Sequence, residues 1–503
     1  MVQTSSTTID SRTTTIQLTT PGELLSTPAC ASSSPTAVVA TAADADRPRQ
    51  LSALDLQLLD TETDSTPLHI GSIIMLDSAA TTCAPLTVTS LRRLFAARIH
   101  LLAPLRRRVR TVLLGLDQPY WEDCDTIDLG YHVRAVTLAD GATDNDLADY
   151  VARHHAQPLD RHRPLWECHL VSGLPFGRQA VYTKVHHAVI DGVSAAEIMA
   201  AILDITDSPA APASADAEIR RDRMPSTTGM LARSVPNAFA RQSNRVRAVR
   251  QAVPALLHAH RDLRTKHPDV PFNRAISPNR SVAFTSLPLD AVKAVKKSVD
   301  GTVNDIVMAL CTAALRRWMA DHALAADRPL LAAVPVSVRT PEQFGTAGNQ
   351  FSIMLSQLPV HESEPHARLL RLRDALRAGK EQFHRQPPTL LHEITSLLTP
   401  VLSGLPTRAL LRAATPALPL TNLIVSNVAG PQIPLYLNGI RVLASYPVSV
   451  LTELAGNLNI TVMSYDGHLD FGILACSDGV PDIWDLARYL HDALTELEQQ
   501  PQT

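Results

Sequence analysis

Two adjacent histidines and an Asp-Gly pair stand in an otherwise apolar stretch, VYTKVHHAVIDGVSAAEIM, which runs from Val181 to Met199. The histidines are His186 and His187, and the pair is Asp191 and Gly192. A polar side chain among apolar neighbours costs free energy unless it has a partner. A neutral imidazole has a pKa near physiological pH and can accept a proton from a hydroxyl group. The stretch therefore predicts a general base, with Asp191 orienting the loop and Gly192 permitting a tight turn.

The histidine pair also allows two other interpretations. Successive residues of a strand point to opposite faces, so one histidine can be a hydrogen-bonded core residue while the other faces a cavity. A metal site would need a third ligand at a convincing spacing, which the sequence does not show, so no metal is expected. The sequence contains no GxSxG elbow and no local serine or cysteine nucleophile pattern. That favours direct transfer over a covalent enzyme intermediate.

The elements around the histidines place them at the end of a strand. The run RQAVYTKVHHAVI reads as a strand, and LWECHLVSGL before it reads as a second strand, joined by a PFG turn. Ser194 and Glu197 have the spacing of a capping box ahead of the helical run AAEIMAAIL. The motif therefore lies on a strand end and the following loop, where a rigid scaffold commonly carries chemistry.

The rest of the chain predicts an α/β protein with two halves. Residues 1–46 are rich in Ser, Thr and Ala, which is typical of a disordered tail. Residues 47–207 form the first half, 208–270 a flexible and then basic connector, and 271–498 the second half. Strand and helix patterns alternate in both halves, which predicts α/β layers with several antiparallel pairs. GILACSDGVPDIWDLARYL, around Asp478, weakly repeats the strand, Asp-Gly, helix order of the histidine stretch.

Composition excludes several classes of function. The formal net charge of -3 gives no indication of nucleic-acid binding. No apolar run reaches the roughly 18 to 20 residues of a membrane-spanning helix, and no secretory signal precedes the fold. Six cysteines show no CxxC spacing, so a reducing cytoplasmic setting is expected.

The connector carries a run of arginines with interspersed apolar residues between Arg233 and Leu257. The simpler interpretation is a solvated helix between the halves. The alternative is a helix that lies on an anionic lipid surface.

HHAVIDG matches the HHxxxDG motif of the CoA-dependent acyltransferase superfamily. From residue 48 to 498 the chain resembles one branch, the bacterial wax ester synthase/acyl-CoA:diacylglycerol acyltransferases. In order, the segments that carry the resemblance are LSALDLQLLDTETDSTPLHIGSIIMLD, PLDRHRPLWECHLVSGL, FNRAISPNRSVAF, TVNDIVMAL, VPVSVRT, GNQFSIMLSQLPV, SNVAGPQIPLYLNG and SYDGHLDFGILAC. Ala429 departs from the family pattern, which often has proline at this position.

The resemblance implies two chloramphenicol-acetyltransferase-like halves with a tunnel between them. It implies an O-acyltransferase that moves a long-chain acyl group from acyl-CoA to a lipid hydroxyl. Diacylglycerol, giving triacylglycerol, is the favoured acceptor, and a long-chain alcohol would give a wax ester. Acyl-CoA is then a co-substrate, and no cofactor is expected. The enzyme would be cytoplasmic and peripherally attached to the inner face of the membrane or to lipid inclusions.

Residue roles carry over from the matched motifs. His187 corresponds to the general base, and His186 to a residue that supports the loop. Asn304 is a candidate polar partner in the tunnel, although its position also suits a helix start, and Asp305 reads as structural. Pro164 and Trp166 can shape the tunnel, or Trp166 can simply belong to the core.

Two other functions remain open from the sequence. A condensation-type acyltransferase would take its acyl group from a carrier protein, and acyl-CoA against acyl-carrier donors would separate the two. A lipid-binding or membrane-associated homologue that has lost catalysis is the second, although HHAVIDG is intact.

Overall fold

The computed structural model describes residues 50–78, 84–112, 117–190, 195–208, 228–230, 268–337, 351–385, 421–453 and 455–499. These residues belong to one compact unit that begins at Asp46. The predicted tail and most of the predicted connector lie outside the described residues. The predicted domain limits therefore stay predictions.

The elements before the connector agree with the strand and helix patterns around the histidines. In chain order they are α1 (Ala53–Thr61), β1 (His69–Leu76), α2 (Val88–Arg98), β2 (Arg107–Arg110), β3 (Tyr120–Asp123), α3 (Leu129–His132), β4 (Val133–Thr137), α4 (Asp144–His155), β5 (Trp166–Ser172), β6 (Gln179–His186) and α5 (Ala195–Ile202).

The elements after the connector again alternate between strands and helices. They are β7 (Arg280–Pro288), α6 (Leu289–Ser298), α7 (Val303–Asp321), β8 (Leu330–Ser337), β9 (Phe351–Leu358), α8 (Pro365–Arg385), β10 (Leu423–Val428), β11 (Tyr436–Leu437), β12 (Ile440–Val448), β13 (Leu458–Tyr465), β14 (His468–Cys476) and α9 (Ile483–Glu498).

Local sequence signals explain several of these boundaries. Ser52 caps α1, and its hydroxyl accepts a hydrogen bond from the Asp55 amide while Asp55 reaches back to the Ser52 amide. Asp466 and Gly467 both have positive φ, at 41° and 81°, and they join β13 to β14 in a two-residue hairpin. These local signals set the start of α1 and the turn between β13 and β14.

Two six-stranded sheets form the framework. The first has the order β11-β12-β1-β6-β5-β4 and the second β7-β14-β13-β10-β8-β9. Four strands pair in the same way in both: β1-β6-β5-β4 and β7-β14-β13-β10 each contain two antiparallel pairs and then a parallel pair. The repeated topology agrees with the weak sequence repeat around Asp478. It also confirms the predicted α/β class with two related halves, whereas the tunnel stays a prediction.

The first sheet contains strands from both halves of the chain. Strands β11 and β12 follow β10 in the chain but complete the first sheet, where β12 pairs antiparallel with β1. Strand β12 also contacts β14 of the second sheet. A Cβ added to Gly472 of β14 would lie 1.7 Å from the carbonyl oxygen of Pro447 in β12. Nearby, the buried Asp470 carboxylate accepts hydrogen bonds from the Ser445 amide, at 2.7 Å, and the Ser286 hydroxyl, at 2.6 Å. The sheets therefore touch backbone to backbone.

The first sheet buries both of its faces. One face packs on α2 and α5, with Leu94 and Met199 in the same apolar cluster as Val185 and Ala188. The other packs on α4, where Leu147 contacts the cluster that contains Ile73 and Tyr182. Every residue of β6 except Thr183 is buried, so its polar side chains need partners inside the protein.

Candidate active site

The motif begins where β6 ends, and β1 fixes its register. His69 of β1 lies directly opposite His186 of β6. One residue later the His187 amide donates to the Leu68 carbonyl at 2.9 Å, and the His186 amide donates to the Leu165 carbonyl at 3.0 Å. The backbone of both histidines is therefore held by the neighbouring chain segments.

His186 faces the interior on the α4 side of the sheet and is 1% exposed. Its Nδ1 accepts a hydrogen bond from the Ala188 amide at 3.1 Å, so Nε2 is the ring nitrogen that carries a proton. That Nε2 lies 3.6 Å from Oε1 of Glu62, an electrostatic contact. His186 is thereby fixed from both sides of its ring, which agrees with the predicted supporting role.

Glu62 is the acidic centre behind the motif, at the C-cap of α1. Its Oε1 also lies 3.3 Å from Nε2 of His69, and its Oε2 accepts a hydrogen bond from Arg161 at 2.6 Å. Burial favours the neutral acid, but His186, His69 and Arg161 outweigh burial and hold the pKa of Glu62 well below its usual range. The side chain is therefore a carboxylate although it is only 7% exposed.

Two buried histidines behind the motif, His69 and His155, have a lowered pKa. Burial lowers the pKa of His69 to about 4, although Glu62 opposes the shift. His155 bonds through Nδ1 to the Tyr182 hydroxyl and through Nε2 to the Ser449 carbonyl, both at 2.9 Å. Burial lowers its pKa further below the usual value. Ser449 follows β12, so this histidine also ties the two halves together.

Lys184, two residues before His186, has its own buried partners. Its Nζ donates to the carbonyls of His154 and Gln157, at 2.9 and 3.1 Å, and lies 3.7 Å from the Glu167 carboxylate. A cation at the C-terminal end of α4 interacts favourably with the helix dipole. Lys184 therefore anchors α4 against the sheet, and the polar residues of β6 form a connected layer rather than isolated groups.

His187 is in a different environment from its neighbour. Its side chain is partly exposed, and the residues after it, Ala188 and Val189, are buried in the cluster on the α2 and α5 side. Burial lowers the pKa of His187, and the neighbouring His186 lowers it too. The ring is then neutral at physiological pH, which is the protonation state a general base requires.

Not every predicted site residue can be placed. Asp191 and Gly192, and with them Ser194 of the predicted capping box, lie outside the described residues. Asn304 lies in the first turn of α7, where its side-chain oxygen accepts a hydrogen bond from Asn427 of β10 at 3.4 Å. Val428, next to Asn427, packs on the apolar cluster that contains Ala188 and Val189. Asn304 therefore lies near the junction of the two halves.

Asp305 and Trp166 both make structural contacts. Asp305 is buried and forms the capping box of α7, with its carboxylate 2.7 Å from the Thr302 amide. Trp166 is 2% exposed, stacks on His132 with ring centroids 4.5 Å apart, and donates to the Leu105 carbonyl at 2.8 Å. Trp166 therefore belongs to the core of the first half.

Glu62, His69 and Arg161 are the site residues that the sequence does not predict. One local signal exists for Glu62: a negative charge at a helix C-terminus opposes the helix dipole, which suggests a role outside the helix. His69 becomes visible only through the pairing of β1 with β6. Among the described residues, no group of three or more His, Cys, Asp or Glu side chains could hold a metal ion.

The two paired sheets and the histidine pair at a strand end agree with the acyltransferase fold that the sequence motifs predict. A profile of the wax ester synthase/diacylglycerol acyltransferase catalytic domain matches residues 51–307, and one of the WS/DGAT C-terminal domain matches residues 347–498. The chain belongs to the wax ester synthase/diacylglycerol acyltransferase family, as its sequence motifs predict, and is an acyltransferase.

Individual relatives agree with this assignment. A putative diacylglycerol O-acyltransferase of Mycobacterium tuberculosis is 34% identical over 460 residues, which cover 89% of this chain and 99% of the relative. A probable diacylglycerol O-acyltransferase of the same organism is 33% identical over 461 residues, covering 88% and 98%.

Solved structures show the same fold. The wax ester synthase/diacylglycerol acyltransferase of Marinobacter aquaeolei VT8 is 27% identical with a TM-score of 0.65, over 89% of this chain and 98% of that one. The first condensation domain of the calcium-dependent antibiotic synthetase is 20% identical with a TM-score of 0.53, over 91% and 97%, and shares the fold alone. Membership of the family favours an acyltransferase that uses acyl-CoA. It does not favour the two alternatives, a condensation-type acyltransferase with a carrier-bound donor and a homologue that has lost catalysis.

Proposed function

We propose that this protein transfers a long-chain acyl group from acyl-CoA to the free hydroxyl of diacylglycerol, giving triacylglycerol, with His187 as the general base. The observation that carries the proposal is the contrast between the two histidines. His186 is fixed on both sides of its ring, whereas His187 is partly exposed and has a lowered pKa. One ring is held in place, and the other has the protonation state and access that the reaction needs.

The reaction begins with proton transfer. The neutral His187 ring accepts the proton of the acceptor hydroxyl, and the oxygen lone pair attacks the thioester carbonyl carbon. The carbonyl π electrons move to its oxygen, which gives a tetrahedral oxyanion. A donor aligned with that oxyanion would lower the barrier by several kcal/mol, about 3 for one hydrogen bond.

The intermediate collapses by breaking the carbon–sulfur bond. The oxyanion electrons re-form the carbonyl, CoA leaves as thiolate, and the His187 imidazolium returns the proton to the sulfur. The ester product and free CoA result, and the base is regenerated without an enzyme-bound acyl group. Because the thioester already carries the activated acyl group, the reaction requires no cofactor and no metal.

The remaining site residues support this chemistry in the proposal. Asp191 and Gly192 shape the loop that begins after the histidines. His186, held by Glu62, keeps the strand end rigid, so that His187 stays aligned with its substrate. Asn304 is the candidate polar partner of the acyl donor, because it lies near the junction of the halves and Asn427 holds its amide.

A water-insoluble acceptor implies contact with a lipid surface. Within the described residues, no helix is long and apolar enough to cross a membrane. We therefore propose peripheral attachment to the inner face of the membrane or to lipid inclusions. The basic, partly apolar segment between Arg233 and Leu257 would make this contact through anionic lipids.

One assay tests the function. Purified protein is incubated with labelled palmitoyl-CoA and either dipalmitoylglycerol or hexadecanol, and the labelled lipids are separated. Triacylglycerol formation supports the proposed acceptor. Wax ester alone would overturn the choice of diacylglycerol, and the absence of both products from folded protein would overturn the proposed transfer.

A further inference from the structure

The lysines of this chain are concentrated on one surface. Of 46 basic Lys and Arg residues, only six are lysines. Lys184 is buried, and Lys266 lies outside the described residues. The remaining four lie on two neighbouring helices, and we call them, with two adjacent arginines, the lysine surface: Lys293, Lys296, Lys297, Lys380, Arg373 and Arg377.

Three of these lysines lie on α6, close to the start of α7. Lys296 and Lys297 are in the last turn of α6, and Lys293 is one turn earlier. Val292 and Val295 bury the opposite face of the helix. The Gly301 amide donates to the Lys296 carbonyl at 3.1 Å, which turns the chain directly into α7. The α6 lysines therefore lie beside the helix end that carries Asn304.

The other members come from α8, which runs antiparallel to α7. Arg316, near the end of α7, donates to the Val360 carbonyl just before the start of α8. At the same end of α8, Arg368 pairs with Glu496 of α9. Further along α8, Arg373 donates to the Val299 carbonyl at 2.7 Å, at the other end of α7.

The later residues of α8 extend this basic face. Arg377 also pairs with Asp300, and Lys380 comes one turn later in the same direction. The basic face of α8 thus continues toward the Asn304 end of α7.

Carboxylates are present on this surface, but cations outnumber them. Asp290 pairs with Lys293 at 3.1 Å, Asp374 with Arg373 at 2.8 Å, and Asp300 with Arg377 at 3.2 Å. These carboxylates are 92%, 63% and 98% exposed, and Glu381 is exposed as well. Ion pairs at such exposure are weak, so a multiply charged anion can compete for the cations.

We propose that the lysine surface binds the diphosphate and 3′-phosphate of the CoA portion of the acyl donor. This inference rests on the proposed use of acyl-CoA. Lysine is a compact cation with three donors and is a common phosphate ligand. In CoA the phosphates and the thioester lie at opposite ends of the pantetheine arm. A phosphate site beside the start of α7 would let that arm run past Asn304 toward His187.

The position favours CoA over a lipid surface as the partner. Exposed large apolar residues such as Leu101, Phe176, Ile205 and Ile433 lie on other elements, whereas membrane-bound basic helices combine cations with apolar side chains. On α6 the apolar residues Val292 and Val295 are buried in the core and are not available to lipid.

Amine footprinting tests the proposal. The full-length protein is acetylated briefly with an amine-selective reagent, alone, with CoA, with pantetheine, or with phosphatidylglycerol vesicles, and peptides are quantified by mass spectrometry. We expect CoA to slow acetylation of Lys293, Lys296 and Lys297 at least threefold while pantetheine does not, with an added lysine-containing peptide as the reference. Protection by vesicles and not by CoA would overturn the proposal in favour of a lipid surface.

Kinetics give an independent test in the double variant Lys293→Gln/Lys297→Gln. We expect kcat/KM to fall at least tenfold with palmitoyl-CoA, mainly through KM, and less than twofold with palmitoyl-pantetheine, which lacks the phosphates. The matched control, Arg317→Gln/Arg371→Gln, removes two exposed charges at the opposite ends of α7 and α8. Equal losses with both donors would overturn the phosphate site, whereas inactivity of the parent with palmitoyl-CoA would instead overturn the proposed function.

Discussion

His187 combines partial exposure with a ring kept neutral by burial. Replacement by alanine removes the proposed base, and acyl transfer should fall roughly 10² to 10⁴-fold, the usual contribution of general-base catalysis. The measurement is product formation from palmitoyl-CoA, with circular dichroism to verify folding. A folded variant that keeps more than a tenth of the parent rate would rule out His187 as the base.

Glu62 should matter for both stability and rate. Its carboxylate contacts His69, His186 and Arg161 inside the protein, so Glu62→Ala leaves these groups without their anion. Leaving a buried hydrogen-bonding group without its partner typically costs about 1 to 3 kcal/mol. The free energy of unfolding from urea titration, together with kcat, measures the effect.

The matched control for Glu62 is Asp327→Asn, which removes a carboxylate that is 61% exposed and should change neither quantity. If Glu62→Ala unfolds at the same urea concentration as the parent, the carboxylate is not a structural anchor.

The two histidines and Glu62 also show what can be predicted at the scale of single residues. His186 and His187 are recognisable because adjacent histidines in an apolar run are chemically unusual. The alternation of a strand predicts different surroundings for the two side chains, and in the structure His186 is buried while His187 is partly exposed. Glu62 reaches them from α1, about 120 positions earlier in the chain, and no local pattern encodes that contact.

At the scale of elements, Gly472 controls how closely the two sheets approach. An alanine Cβ there would overlap the Pro447 carbonyl oxygen at 1.7 Å, and a backbone atom cannot move aside cheaply. Gly472→Ala should therefore destabilise the protein by at least about 2 kcal/mol, as overpacking typically does. Gly130→Ala is the control, because its Cβ would meet only a side-chain atom, the Asp128 carboxylate oxygen at 3.1 Å, and no backbone atom. Equal melting temperatures for the two variants would contradict the close approach.

The regular elements are largely predictable, and their assembly is not. The predicted runs for β5 and β6 match the observed starts to within one residue and the end of β5 to within two, since apolar periodicity is a local property. β6 ends at His186, four residues before the predicted end at Ile190, because the chain turns at the histidine motif. The pairing of β12 with β1 joins strands from opposite ends of the chain. This pairing depends on which strand of the first sheet still has an unpaired edge when β12 is added. No local pattern in the sequence identifies that strand.

At the scale of the whole molecule, buried neutral histidines make stability depend on pH. Above pH 6.5 His69 is neutral in both folded and unfolded chains and contributes no pH dependence. Between pH 6.5 and about 4 the unfolded chain binds a proton that folded His69, with its pKa of about 4, does not. Stability should fall over this range, by about 3 kcal/mol for His69 alone.

Other groups modify this profile. His155 shifts in the same direction as His69, and the lowered pKa of Glu62 adds a further loss below the usual pKa of its carboxyl, near 4.5. Burial raises the pKa of Asp470, which opposes the trend. Urea titrations from pH 8 to pH 4 measure the sum. A stability that rises on acidification would contradict the neutral state of the buried histidines.

Attachment to lipid is also a property of the whole molecule. If the segment from Arg233 to Leu257 contacts anionic lipid, the protein should sediment with phosphatidylglycerol vesicles at low salt and be released at high salt, since salt screens the attraction. Replacing Arg241, Arg245, Arg247 and Arg250 by glutamine should weaken this binding without reducing transfer to a detergent-dispersed acceptor. Undiminished vesicle binding by the variant would make the segment a solvated connector.

The placement of β12 beside β1 has a consequence for synthesis on the ribosome. The nascent chain completes β1 at Leu76 but does not reach β12 until Ile440. At roughly 5 to 20 residues per second, one edge of β1 waits about 20 to 70 s for its partner. During that time the hydrogen-bonding groups of a strand rich in Ile and Leu are open to pairing with other chains. The first half thus emerges from the ribosome first but is completed late, after almost the whole chain has been made.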